Sequence, residues 1–153
     1  MQRKEFERNI KPQDASKLRI GVVASRFNED VTGSMLEGVL GTLKLWNVKG
    51  KNTFVVRVYG SFEIPFAAQR LIKKKRLDAL IAIGCIIKGE TRHDEYLAHA
   101  TAQGLMRVSL DSDVPIGFGI ITTNTLEQAL ARSRGDSNHG AKAAIAALQA
   151  AFI

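Results

Sequence analysis

Lys88, Gly89, Glu90, Thr91, Arg92 and His93 set two cations, a carboxylate, a hydroxyl, a glycine and an imidazole side by side. They follow directly on the apolar run ALIAIGCII (79–87) and lead into DEYLAHATAQGLMRVSL, which has a helical rhythm. An imidazole ordinarily titrates near neutrality and can both take and give a proton, so His93 is the candidate acid–base group. A glycine-containing turn that opens a helix presents free backbone N–H groups, which suit a phosphate. Gly89, Glu90 and Thr91 are the candidates for that turn.

Comparable groups end the other apolar runs. LRIGVVAS (18–25) gives way to Arg26, Phe27 and Asn28, and TFVVRV (53–58) to Tyr59, Gly60, Ser61, Phe62 and Glu63. IGFGII (116–121) carries Phe118 and ends in two threonines and Asn124. Flat rings stack on a flat heterocycle, while Ser, Asn and Glu side chains suit a polyol. The coincidence at all four ends carries more weight than any single residue. Metal binding is disfavoured, because His93, His99 and His139 lack i,i+4 spacing, an HExxH motif and a companion cysteine pair. Gly117-Phe118-Gly119 lacks the rest of a dinucleotide fingerprint, and there is no Walker A pattern.

These groups need elements to position them. The run 79–87 is too short to cross a membrane and rich in isoleucine, which is how a strand buried on both faces of a parallel sheet reads. Strand patterns at 18–25, 53–58, 79–87 and 116–121 alternate with helical ones at 29–46, 64–75 and 94–111. A short helix capped by Thr125 and an alanine-rich helix from Ala141 follow. That alternation predicts an α/β fold: a flavodoxin-like three-layer sandwich with a four-stranded parallel sheet and helices on both faces. Ligands bind at the carboxyl ends of the strands in such sheets. Residues 1–17 read as an N-terminal arm, extended or disordered, and 18–153 as a single domain.

At 153 residues, one domain with a real core is expected. Hydrophobic residues make up 45% and charged residues 24%, and no transmembrane span or secretory signal is expected. The net charge of +7 raises the question of a nucleic-acid partner. The densest basic cluster, Lys73 to Arg76, lies where a helix ends, however, and suits the helix dipole. No nucleic acid and no membrane are expected as partners. The single cysteine, Cys85, sits inside an apolar strand and reads as buried and inert, in keeping with a reducing, cytoplasmic setting.

ASRFN (24–28), VYGSFEIP (58–65), AIGCIIKGETRHDEY (82–96), GFGIITTNTLEQAL (117–130) and the HGAKAA start of the last helix resemble the lumazine synthases of riboflavin biosynthesis. The resemblance covers the chain in order from about Leu18 onward. It implies condensation of 5-amino-6-ribitylaminouracil with 3,4-dihydroxy-2-butanone 4-phosphate, a transferase reaction without metal or organic cofactor. By that resemblance Phe27 stacks on the pyrimidine, and Asn28, Ser61, Phe62 and Glu63 hold the ring and the ribityl chain. Ile86 and Ile87 offer backbone to the uracil. Gly89, Glu90 and Thr91 form the phosphate turn with Arg132 as its cation, and His93 transfers protons. Phe118, Arg132 and Lys142 reach in from a neighbouring subunit of a homopentamer or a multiple of pentamers.

Two positions depart from the family pattern. Asp94 stands where an aromatic usually follows the histidine, and as a neighbouring opposite charge it favours the imidazolium. Ala143 replaces the glycine that commonly follows Lys142. SRGDSNHG (133–140) is longer than in shell-forming relatives and reads as a flexible insertion that obstructs contacts between pentamers. The competing readings are a non-catalytic flavin- or phosphate-binding module, a basic nucleic-acid binder and a shell protein. The first would not need His93, Arg132 and Lys142 together with the stacking rings.

Overall fold

A computed structural model describes residues 2–153. Its centre is β3 (Ala79–Ile87), in which eight of nine residues are buried. Such a run needs cover on both faces, and the chain supplies it. β1 (Ile20–Ser25) and β4 (Ile116–Thr123) flank β3, and β2 (Thr53–Val58) is the edge strand beyond β1. All three pairings are parallel and the order is β2-β1-β3-β4. The four-stranded parallel α/β sandwich read from the sequence is the fold observed.

Alternate residues of each strand feed two cores. Ile20, Val22, Ala24, Ile81 and Ile83 pack on one face, with Val31, Met35, Val39 and Leu43 of α2 (Glu29–Leu45). Ala143, Ala144, Ala147 and Leu148 of α6 (His139–Ala151) and Ala129 of α5 (Leu126–Ala131) join them. Val23, Leu80 and Ala82 face the other way, onto Ile64, Ala68, Leu71 and Ile72 of α3 (Ile64–Lys75). Leu105 and Val108 of α4 (His93–Ser112) complete that second core. Gly117 lets α6 lie directly on β4, since a Cβ there would collide with the Ala143 carbonyl. α3 starts with a proline in its first turn and closes on three lysines, as the helix dipole favours.

Three details differ from the sequence reading. β1 starts at Ile20 rather than Leu18, because Arg19 N–H donates to the Asp78 carboxylate at 2.7 Å instead of joining the ladder. Within the N-terminal arm, read as extended or disordered, residues 3–8 form a helix, α1 (Arg3–Arg8), braced by an Arg3–Glu7 ion pair at 3.0 Å. The connector 133–140 is tied down rather than loose: Asn138 Nδ2 donates to Ser34 O and Ser133 O, and Asn138 Oδ1 accepts from Gly140 and Ala141 N–H. No helix among the described residues is long and apolar enough to cross a membrane.

The order β2-β1-β3-β4 matters for function. From β1 the chain moves outward to β2, and from β3 it moves the opposite way to β4. The two first loops therefore diverge between β1 and β3, and a crevice opens at their carboxyl ends.

Candidate active site

A cleft of about 740 Å³ occupies that crevice. Its floor is Cys85, Ile86 and Ile87, the last turn of the β3 ladder. Phe27 and Asn28 enter from the turn after β1, and Tyr59, Gly60, Ser61, Phe62 and Glu63 from the loop after β2. Gly89, Thr91, His93, Asp94, Tyr96, Leu97 and Ala100 close it from the β3–α4 loop and the first turns of α4.

Each wall is fixed by backbone. Arg26 N–H donates to Val58 O at 2.7 Å and Phe27 N–H to Tyr59 O at 2.9 Å, so the β1–β2 ladder continues past its last strand pair, Ser25 and Val58. Asn28 takes a left-handed conformation, φ 59°, a region Asn tolerates better than most residues. Its amide donates to Cys85 O at 3.0 Å and so ties the first loop to the central strand. Ser61 is buried over Gly84, where any Cβ would strike its hydroxyl. Gly60 N–H donates to Glu63 Oε2 at 3.0 Å, which holds that carboxylate against the loop.

His93 is the first residue of α4 and is exposed to the cleft, its N–H donating to Thr91 Oγ1 at 3.3 Å. The helix N-terminus thus opens beside the imidazole, with its dipole suited to an anion. Glu63 and Asp94 bring carboxylates, yet among the described residues no lysine or arginine lines the cleft. A cationic side chain for an anion bound here would have to come from outside these walls. Burial pushes the Cys85 thiol up to about 11, which leaves it protonated at neutral pH and unfit as a nucleophile.

Ten of the residues singled out from the sequence line this one cleft: Phe27, Asn28, Ser61, Phe62, Glu63, Ile86, Ile87, Gly89, Thr91 and His93. Four do not. Glu90 is exposed in the adjoining turn. Phe118 is half exposed on β4. Arg132 caps α5 from the opposite face of the sheet, its guanidinium on Gln128 O at 3.0 Å. Lys142 pairs with Glu7 of α1 at 3.2 Å. The sequence reading passed over Tyr59, Tyr96, Leu97 and Ala100. Ala100 lies one helical turn beyond the adjacent Tyr96 and Leu97 on α4, so the α4 periodicity was the signal that could have found them; for Tyr59 the signal was its place directly after β2.

A parallel α/β sheet with an aromatic and polar cleft at its switch point, free of metal-ligand clusters among the described residues, defines a small-molecule-binding class of sandwich. The family model for 6,7-dimethyl-8-ribityllumazine synthase matches residues 17–153, and the chain belongs to that family. It is 40% identical over 146 residues to the 6,7-dimethyl-8-ribityllumazine synthase of Phocaeicola vulgatus, an alignment spanning 95% of this chain and 86% of that protein. It is also 40% identical over 146 residues to the enzyme of the same name from Parabacteroides distasonis, spanning 95% of this chain and 91% of that protein.

Proposed function

We propose that the switch-point cleft condenses 5-amino-6-ribitylaminouracil with 3,4-dihydroxy-2-butanone 4-phosphate to give 6,7-dimethyl-8-ribityllumazine, phosphate and water. The observation that carries this is the convergence of the two rings of Phe27 and Phe62, the ribityl-type hydrogen-bonding groups of Asn28, Ser61 and Glu63, and His93 on one cavity. It agrees with the names of the two relatives.

The residues divide the work. Phe27 presents its ring face to the pyrimidine, while the backbone of Ile86 and Ile87 pairs with the uracil edge. Asn28, Ser61, Phe62 and Glu63 hold the ring and its polyol. The turn Gly89, Glu90 and Thr91, at the opening of α4, receives the phosphate. An amine of the pyrimidine attacks the ketone of the four-carbon substrate and a first water leaves. Phosphate departs by elimination, and attack of the second amine closes the ring with loss of a second water. His93 carries protons in these steps. Holding two reactive partners in one cleft supplies much of the acceleration.

The cation for the phosphate is Arg132 of a neighbouring subunit, joined there by Phe118 and Lys142. Support comes from two features: among the described residues no lysine or arginine lines the cleft, and Phe118 and Arg132 sit at the surface away from it. The active unit is a homo-oligomer, a pentamer or a multiple of pentamers, working in the cytoplasm without metal or organic cofactor. Nucleic acid and membranes are not partners; Lys73, Lys74 and Lys75 serve the end of α3, and Lys75 Nζ lies 5.0 Å from the Phe54 ring centroid. The test is direct. Purified protein mixed with the two substrates should form the lumazine chromophore well above the uncatalysed rate, and formation at the uncatalysed rate would overturn the reading.

A further inference from the structure

We infer that Tyr59 is a substrate-binding residue, the second half of an aromatic wall that Phe27 begins, and that it contacts the pyrimidine and the lumazine made from it. This deepens the reading of the cleft above and rests on it. The two rings lie 6.3 Å apart between centroids at an interplanar angle of 38°. Both line the cleft, and both are exposed, Phe27 to 60% and Tyr59 to 77%.

The spacing decides what the pair can do. Holding a flat heterocycle between two parallel faces requires the faces to be roughly 7 Å apart, twice the carbon–carbon contact distance of about 3.5 Å. Rings closer than that and tilted cannot sandwich a ligand. They form a V-shaped corner instead. A bicyclic ring stacked on Phe27 turns its edge to Tyr59, the edge-to-face arrangement that aromatic quadrupoles favour.

The corner is built before any ligand arrives. Phe27 N–H donates to Tyr59 O at 2.9 Å, so the two residues are joined through backbone. On the other side Gly60 is held by Glu63 Oε2, and Ser61 O accepts from Thr101 Oγ1 at 3.4 Å. Tyr59 therefore lies between two tethered points, and its ring is presented at little cost in backbone entropy. A fixed aromatic pair left open to water inside a concave site is what a flat ligand would cover. The phenol adds a hydroxyl that can bond the polyol, as Tyr does at half-wet interfaces.

The experiment compares Tyr59→Ala and Tyr59→Phe with the wild type, by steady-state kinetics in each substrate, by equilibrium binding of 6,7-dimethyl-8-ribityllumazine and by sizing. In Tyr59→Ala, KM for the pyrimidine and Kd for the lumazine should rise about three- to tenfold, the worth of one aromatic contact. KM for the butanone phosphate and particle size should not move. Tyr59→Phe should recover most of the loss. An active wild type with unchanged pyrimidine KM and lumazine Kd in Tyr59→Ala overturns the role of Tyr59 alone. So does a Tyr59→Ala protein of altered size that loses both substrates equally, because Tyr59 would then be covered by a second copy of the chain. An inert wild type overturns the reading of the cleft, and this inference with it.

Discussion

Lys142 of α6 donates to the Glu7 carboxylate of α1 at 3.2 Å, a pair 135 residues apart in the chain that fastens the N-terminal arm to the last helix. Glu7 also accepts from Arg3 at 3.0 Å. Partial burial works to raise the Glu7 carboxyl, but the hydrogen bonds from Arg3 and Lys142 outweigh it and hold the group below its ordinary value of 4.5. Because the folded value is the lower one, the unfolded chain takes up the proton first on acidification, and stability contributed by Glu7 falls with pH. The contribution is complete well above pH 4.5 and is lost as pH drops through that value and then through the folded one. Amide exchange of residues 3–8 should therefore be slower at pH 7 than at pH 3 after correction for intrinsic rates, and Glu7→Gln should weaken protection at pH 7. Equal protection in all three conditions would mean that the pair does not hold the arm. Lys142 can serve a neighbouring cleft only by giving up Glu7.

His93 is the group proposed to carry protons, and its variant separates chemistry from binding. His93→Ala should lower kcat about a hundredfold or less, the low end for an acid–base group. The modest figure follows from the share of the acceleration that proximity supplies. Binding of the pyrimidine should stay nearly intact, since the proposed stacking and polyol contacts come from other loops. A kcat equal to the wild type would remove His93 from the mechanism.

Arg132 tests the source of positive charge. A charge-assisted contact contributes about 1.5–3 kcal/mol, so Arg132→Ala should raise KM for the butanone phosphate roughly ten- to a hundredfold. The pyrimidine KM should change little. An unchanged KM for the phosphate substrate would place the phosphate elsewhere.

Most of the scaffold was legible because its signals are local. Ala79–Ile87 reads as a buried strand from nine apolar residues alone, and the 31, 35, 39, 43 spacing of α2 gives its buried face. β4 runs on to Thr123 where its apolar residues stop at Ile121, because Thr122 and Thr123 still pair with Ile86 and Ile87. No composition rule marks that pairing. α1 had a signal, the i,i+4 Arg3–Glu7 pair, but a helix of six residues is marginal without tertiary contacts. The Glu7–Lys142 contact and the facing of Tyr59 onto Phe27 are long-range: the first becomes visible only once α1 and α6 are both placed, the second only once β1 and β2 are aligned. The cleft residues were readable because strand ends and their loops are contiguous in sequence, whereas Arg132 and Phe118 lie outside the cleft of their own chain and would reach a site only in the proposed assembly.

Assembly is the last point at issue, and the surface argues for a small one. Phe118 is 52% exposed and Arg132 is exposed, both away from the cleft of their own chain. In the assembly proposed above, a neighbouring copy of the chain would give them a function, and the resemblance to the family implies the number five. Closure of pentamers into a shell would need further contacts, and we propose that the connector 133–140 obstructs them. Asn138 pins it to α2 and to Ser133, while Arg134 and Asp136 remain exposed. A fixed loop bearing charge is a harder obstacle than a loose one, because it cannot fold aside and its charges must be desolvated on contact. Light scattering on a sizing column should give about five or ten times the 16.8 kDa chain. A megadalton particle would overturn the proposed block to shell closure. A fully active monomer would overturn the shared site itself. Between those limits, Arg134→Ala combined with Asp136→Ala should leave turnover unchanged, and any shift of the particle toward larger species would mark the connector as the element that limits assembly.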